Sequence, residues 1–132
     1  MNVLKGNIAE VRVNGELSIV RVDVKDHLLS CIVIDTPQTV DYLVYGCEVK
    51  VIFKETEVII ATGKTEGISL RNKFKGKVVR IDSDILLSKL TIDTPVGKIT
   101  SIITSNAVQE LGVKIGSEVT AMIKTNELIL SK

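Results

Sequence analysis

Tryptophan is absent from this chain, aromatics amount to 3% of it, and it holds a single histidine. Four aromatic side chains, Tyr42, Tyr45, Phe53 and Phe74, cannot form the row of stacking platforms on which a single-stranded nucleic-acid groove depends. A formal net charge of +1 adds no field to attract a polyanion, so nucleic acid is not an expected partner. Zinc needs four nitrogen or sulfur ligands, and Cys31, Cys47 and His27, without a C-x-x-C pair, do not supply them. The two cysteines read as small buried hydrophobes; a disulfide would be reduced in the cytosol. Acidic residues are scattered singly, with no pair spaced for acid–base work, and neither G-x-S-x-G nor a phosphate-cradling P-loop occurs. An enzyme is therefore not expected. No apolar run reaches the roughly 18–20 residues that span a bilayer. The opening Met1–Val11 meets charges too early for a signal peptide, so a cytoplasmic location and no membrane partner are expected.

What the chain has in quantity is valine, isoleucine and leucine, within a hydrophobic share of 45%. Such side chains suit a pleated, half-buried strand. It also repeats itself. Shifted by 70 residues, Asn2, Lys5 and Gly6 fall on Asn72, Lys75 and Gly76, and Leu17-Ser18 on Leu87-Ser88. Gly46, Glu48 and Val49 fall on Gly116, Glu118 and Val119, and Lys54, Glu57 and Ile59 on Lys124, Glu127 and Ile129. One ungapped register gives 13 identities over 62 aligned positions. The chain is an internal duplication.

Each copy carries the same string of elements. In the second, residues 74–81 and 86–93 alternate as strands, with Ser88, Leu90 and Ile92 on one face. Pro95 and Gly97 supply a turn and 98–104 a third strand. Ser105-Asn106 then caps a short helix, 107–111, that Gly112 stops. Strands over 117–124 and 127–131 close the unit. In the first copy Thr36 and Pro37 read as cap and first helical position of the matching helix. The expected fold is mainly β: two tandem OB-like five-stranded β-barrels, each with one short helix. The boundaries fall at 1–62 and 71–132, with residues 63–70 as linker. Units this small are marginal alone, which favours packing between copies and between chains.

The linker ends in Ile68-Ser69-Leu70-Arg71-Asn72, for which the first copy has no counterpart before Met1-Asn2. Ser69 offers a hydroxyl, Arg71 a rigid fork of N–H donors, and extended backbone its N–H groups. Together they suit a small oxyanion, because charge-assisted bonds from arginine are short and directional. The same residues also read as a solvated charge on a flexible joint.

Ser69, Arg71, Asn72, Gly76 and Val78, followed by "IIT", "LGVKIGSEV" and "IKTNELIL", resemble the molybdate-binding Mop (TOBE) domain of the molbindins. The resemblance covers the whole second copy and reaches the first through "NVLKG", "YGCEVKV" and "VIIAT". Leu70 departs from the usual Ser-Ala-Arg-Asn opening. The resemblance implies OB-related barrels in a homo-oligomer, trimeric rather than dimeric, with molybdate or tungstate between units and no cofactor. It implies that Ser69 and Arg71 bond the oxyanion, that Thr104 adds a hydroxyl and Lys124 a charge, and that Leu70 and Thr125 add backbone N–H groups. Ala107 replaces a small polar residue at the helix start, for which Ser105 or Asn106 compensates. No protein atom binds the metal directly. In the first copy Ile34 stands for Thr104, and Glu55 follows Lys54 where Thr125 follows Lys124, so its site is degenerate. The implied role is intracellular storage of the oxyanion; the alternative is a sensing module acting with a separate regulator or importer.

Overall fold

Period-two alternation of buried and exposed side chains builds ten strands, which the computed structural model describes over Met1–Lys132. The first half runs β1 (Asn2–Asn14), β2 (Leu17–Val24), β3 (His27–Val33), β4 (Glu48–Phe53), a 3-10 turn η1 (Glu55–Glu57) and β5 (Ile59–Ala61). The second runs β6 (Asn72–Ser83), β7 (Leu87–Thr94), β8 (Gly97–Thr104), helix α1 (Ser105–Leu111), β9 (Glu118–Ile123), the 3-10 turn η2 (Thr125–Glu127) and β10 (Ile129–Ser131). The structure is mainly β, as expected, and no helix is long and apolar enough to cross a membrane.

Two five-stranded antiparallel sheets form, in the orders β10-β4-β1-β2-β3 and β5-β9-β6-β7-β8. The halves exchange their last strands. β5 pairs with β9, Ile60 opposite Ala121, and β10 pairs with β4, Leu130 opposite Val51. Each sheet curls until its end strands approach one another, β3 toward β10 and β8 toward β5. A single cluster of 25 buried apolar residues draws on both halves.

The duplication is visible in local geometry. Both long first strands carry a bulge at matching positions, between Ile8 and Glu10 and between Val78 and Arg80. Gly6 and Gly76 sit just before these bulges, where a Cβ would lie 2.4 Å from the Asp23 carbonyl oxygen and 2.3 Å from that of Asp93. No side chain fits there, which accounts for that shared residue.

Two details of the helices differ from the sequence expectation. Residues 36–45 of the first half form turns, not a helix. Thr39 Oγ1 accepts from the Thr36 N–H at 2.8 Å, and Thr36 Oγ1 accepts from the Gln38 N–H at 3.2 Å. These hydroxyls take N–H groups locally and compete with helical bonding. In the second half α1 forms, but its cap is Thr104, whose Oγ1 accepts from the Ala107 N–H at 3.0 Å, in place of Ser105-Asn106. Gly112 ends it in the left-handed region, with φ 65°.

Candidate functional site

The Arg71 edge is fixed by strand register. Asn72 opens β6 opposite Ile123 at the end of β9, so Arg71 and Lys124 leave the same end of the sheet side by side. Lys124 is extended (φ −71°, ψ 145°) and leads into η2, so the chain turns directly after it. Ser69, Arg71 and Lys124 are exposed; Leu70 and Thr125 are half-buried. Arg71 folds over the linker: its Nη2 donates to the Ile68 carbonyl at 2.8 Å and its Nε to the Ser69 carbonyl at 3.2 Å. Both contacts are to carbonyls, and neither Arg71 nor Lys124 takes part in an ion pair. Two uncompensated cations beside a serine and a threonine form an edge suited to an anion.

Thr104 and Ser105 lie elsewhere in the chain. Thr104 ends β8 opposite Leu87, and its oxygen is engaged with α1, which leaves its hydroxyl hydrogen free to donate outward. Ser105 is tied inward: its Oγ donates to the Asp84 carbonyl at 2.7 Å and lies 2.8 Å from Ser88 Oγ. β8 packs against η1 of the first half, whereas η2, next to Lys124, packs against β3. Ser69, Leu70, Arg71, Lys124 and Thr125 are thus brought together; Thr104 and Ser105 lie at the end of β8, whose Thr100 and Ser101 meet the first half at Asn2 and Val58.

Asn2 and Asn72, paired by the duplication, also join the two halves. Asn72 Oδ1 accepts from the Ser30 N–H at 2.8 Å, and its Nδ2 donates to the carbonyls of Ser30 at 3.0 Å and Ile123 at 3.1 Å. Asn2 does the same to Thr100, the residue equivalent to Ser30, at 2.8 and 2.9 Å. Each half's first strand therefore grips the other half's third strand, and Asn72 places Arg71 directly beside that junction. The signal was present: alternation puts Asn2 on the inward face with Leu4, Gly6 and Ile8, where an amide needs partners.

The remaining candidate groups carry less. Cys31 is fully buried and burial pushes its thiol up to about 12, so it is inert; Cys47 is half-buried and free. A cleft of about 550 Å³ beside β6 and β9 mixes Lys75 and Lys77 with Asp93 and Glu118, which cancels any preference for one sign. It is separate from the Arg71 edge.

The TOBE domain model matches residues 68–130, which begins at the Ser69–Arg71 motif. Molybdenum-pterin-binding protein 1 of Clostridium pasteurianum is 44% identical over 64 residues, 48% of this chain and 94% of that protein. Molybdenum-pterin-binding protein MopB of Rhodobacter capsulatus is 39% identical over 89 residues, 65% of this chain and 33% of that protein. The molybdate-bound structure of the cytoplasmic molybdate-binding protein ModG aligns with a TM-score of 0.90 at 29% identity, over 98% of this chain and 94% of that one. The match to molybdenum-pterin-binding protein 1 spans nearly all of that relative, and the likeness to ModG nearly all of this chain. The chain belongs to the TOBE-domain family, alongside the molybdenum-pterin-binding proteins.

Proposed function

We propose that this protein binds molybdate or tungstate in the cytoplasm and stores it without chemistry on the ligand. The observation that carries this reading is the Arg71–Lys124 edge, two cations free of acidic partners at the start of the segment that matches the family. The guanidinium of Arg71, the hydroxyl of Ser69, the ammonium of Lys124 and the backbone N–H groups of Leu70 and Thr125 bond the tetrahedral dianion. Thr104 adds its hydroxyl, with Ser105 clamping the segment behind it. Because β8 faces η1 while the Arg71 edge faces β3, Thr104 reaches such an anion from a second copy of the chain. The protein therefore acts as a homo-oligomer, a trimer in preference to a dimer. Named relatives that bind molybdate or molybdenum-pterin, and the likeness to ModG, support the choice of ligand.

Calorimetric titration with molybdate, tungstate, sulfate and phosphate tests this. Molybdate and tungstate are expected to bind, and Arg71→Ala to weaken them by about 10–100-fold, the loss of one charge-assisted fork. No heat from any anion would refute the reading, and undiminished binding by Arg71→Ala would remove the assigned site.

One observation favours a second reading, a sensing module acting with a separate regulator or importer. The chain is 25% identical over 134 residues to 49% of the molybdenum transport protein ModE of Azotobacter vinelandii. Capture of a protein partner only in the presence of molybdate would favour sensing over storage.

A further inference from the structure

The duplication allows the two ends of the molecule to be compared position by position. η1 and η2 occupy equivalent places, entered through Lys54 (φ −78°, ψ 147°) and Lys124 (φ −71°, ψ 145°). Residue 55 is then the counterpart of residue 125. In the second half that residue is Thr125, whose short side chain carries no charge. In the first half it is Glu55, whose carboxylate reaches Met1, the counterpart of Arg71. Its Oε1 accepts from the Met1 ammonium at 2.7 Å. Lys89, on the outer face of β7, adds a further positive charge from the other half and, with that ammonium, holds the carboxyl below its ordinary range. β7 pairs with β8, Lys89 opposite Ile102, and β8 packs against η1, which brings this cation's strand to that end. The counterpart of Lys89 in the first half is Ile19, so the Arg71 side has no such residue.

We propose that the Glu55 carboxylate is a built-in anion, occupying in the first half the place that the second half keeps for its oxyanion. This rests on the reading of the Arg71 edge as an anion site. The Met1 ammonium is satisfied within the chain and Lys89 adds its charge beside the same carboxylate, so each chain offers one type of open site although it contains two copies of the unit. The substitution does two things at once: it neutralises the cations when no ligand is present, and it repels a second dianion. An ordinary surface ion pair would contribute little to stability and nothing to ligand stoichiometry.

Removal of the charge distinguishes the two. Glu55→Thr restores the residue type of position 125 and leaves the Met1 ammonium and Lys89 without that carboxylate. Calorimetry with molybdate is expected to show a second anion per chain, about tenfold weaker than the first because no arginine serves it. Glu55→Asp, which keeps a carboxylate, is expected to bind as wild type does, and Lys54→Ala in the Glu55→Thr background to lose the gained site. Circular dichroism of each variant confirms that the fold is retained. Wild-type stoichiometry in a folded Glu55→Thr protein overturns the built-in anion while leaving molybdate binding at Arg71 intact. No binding by wild type or variant overturns both.

Discussion

At the scale of single residues, the chain joins its halves with two asparagines. Asn2 and Asn72 are 5% and 1% exposed, and each satisfies both the N–H and the carbonyl of one residue across the junction. A side-chain amide thereby continues the hydrogen bonding of a sheet where no strand continues. Removal of the amide leaves buried backbone groups without partners, and each such group costs about 1–3 kcal/mol. Asn72→Ala is expected to destabilise the fold by about 2–4 kcal/mol, read as a lower urea midpoint. Asn72→Asp keeps the acceptor for the Ser30 N–H but loses both donors, so a loss of similar size is expected. A midpoint unchanged in both variants would show that the clasp adds nothing. Asn72 directly follows Arg71, so the same residue fixes the position of the arginine proposed to face the anion.

At the scale of elements, most strands were legible because period-two alternation is a direct record of a half-buried sheet. Val20, Val22 and Val24 are buried between exposed Arg21 and Lys25, as their spacing indicates. The first-half helix does not form for a local reason: Thr36 and Pro37 look like a helix start, but the hydroxyls of Thr36 and Thr39 bond within the turn. The strand exchange was not legible at all. Duplication makes the last strands of the two copies alike, so neither alternation nor spacing says which of them pairs with β4. Of the site, the register placing Arg71 beside Lys124 follows from the strands; the separation of Thr104 from them follows only from the packing of β8 on η1. The exchange has a mechanical consequence. Residues 62–64 and 66–69 of the linker are exposed, so a protease can cut there while β5 stays in the second sheet and β10 in the first. The two fragments are expected to co-elute in native gel filtration after nicking and to part only in denaturant. Separation under native conditions would contradict the exchange.

For the whole molecule, the two halves are alike in backbone but not in surface. The outer face of β2 and β3 carries Leu17, Ile19 and Ile32, with Ile34 just beyond, and Ile19 lies opposite Ile32. The matching positions of the second half are Leu87, Lys89, Ile102 and Thr104, half of them polar. Ile34, at 78% exposure, has no packing role within the chain that would explain an isoleucine. A contiguous apolar face of this kind marks an interaction surface, and the proposed site, with Thr104 apart from Arg71, would take its occupant from a second copy of the chain. A charge placed at the exposed edge of that face should then act on assembly and leave the fold alone. Ile34→Asp is expected to lower the molecular mass measured by sedimentation toward that of one chain, with an unchanged circular dichroism spectrum. Molybdate affinity should fall in parallel although Arg71, Lys124 and Thr104 are all present, because the site then lacks the contribution from its neighbour. A wild-type protein that sediments as one chain yet binds molybdate fully would show instead that a single copy completes the site.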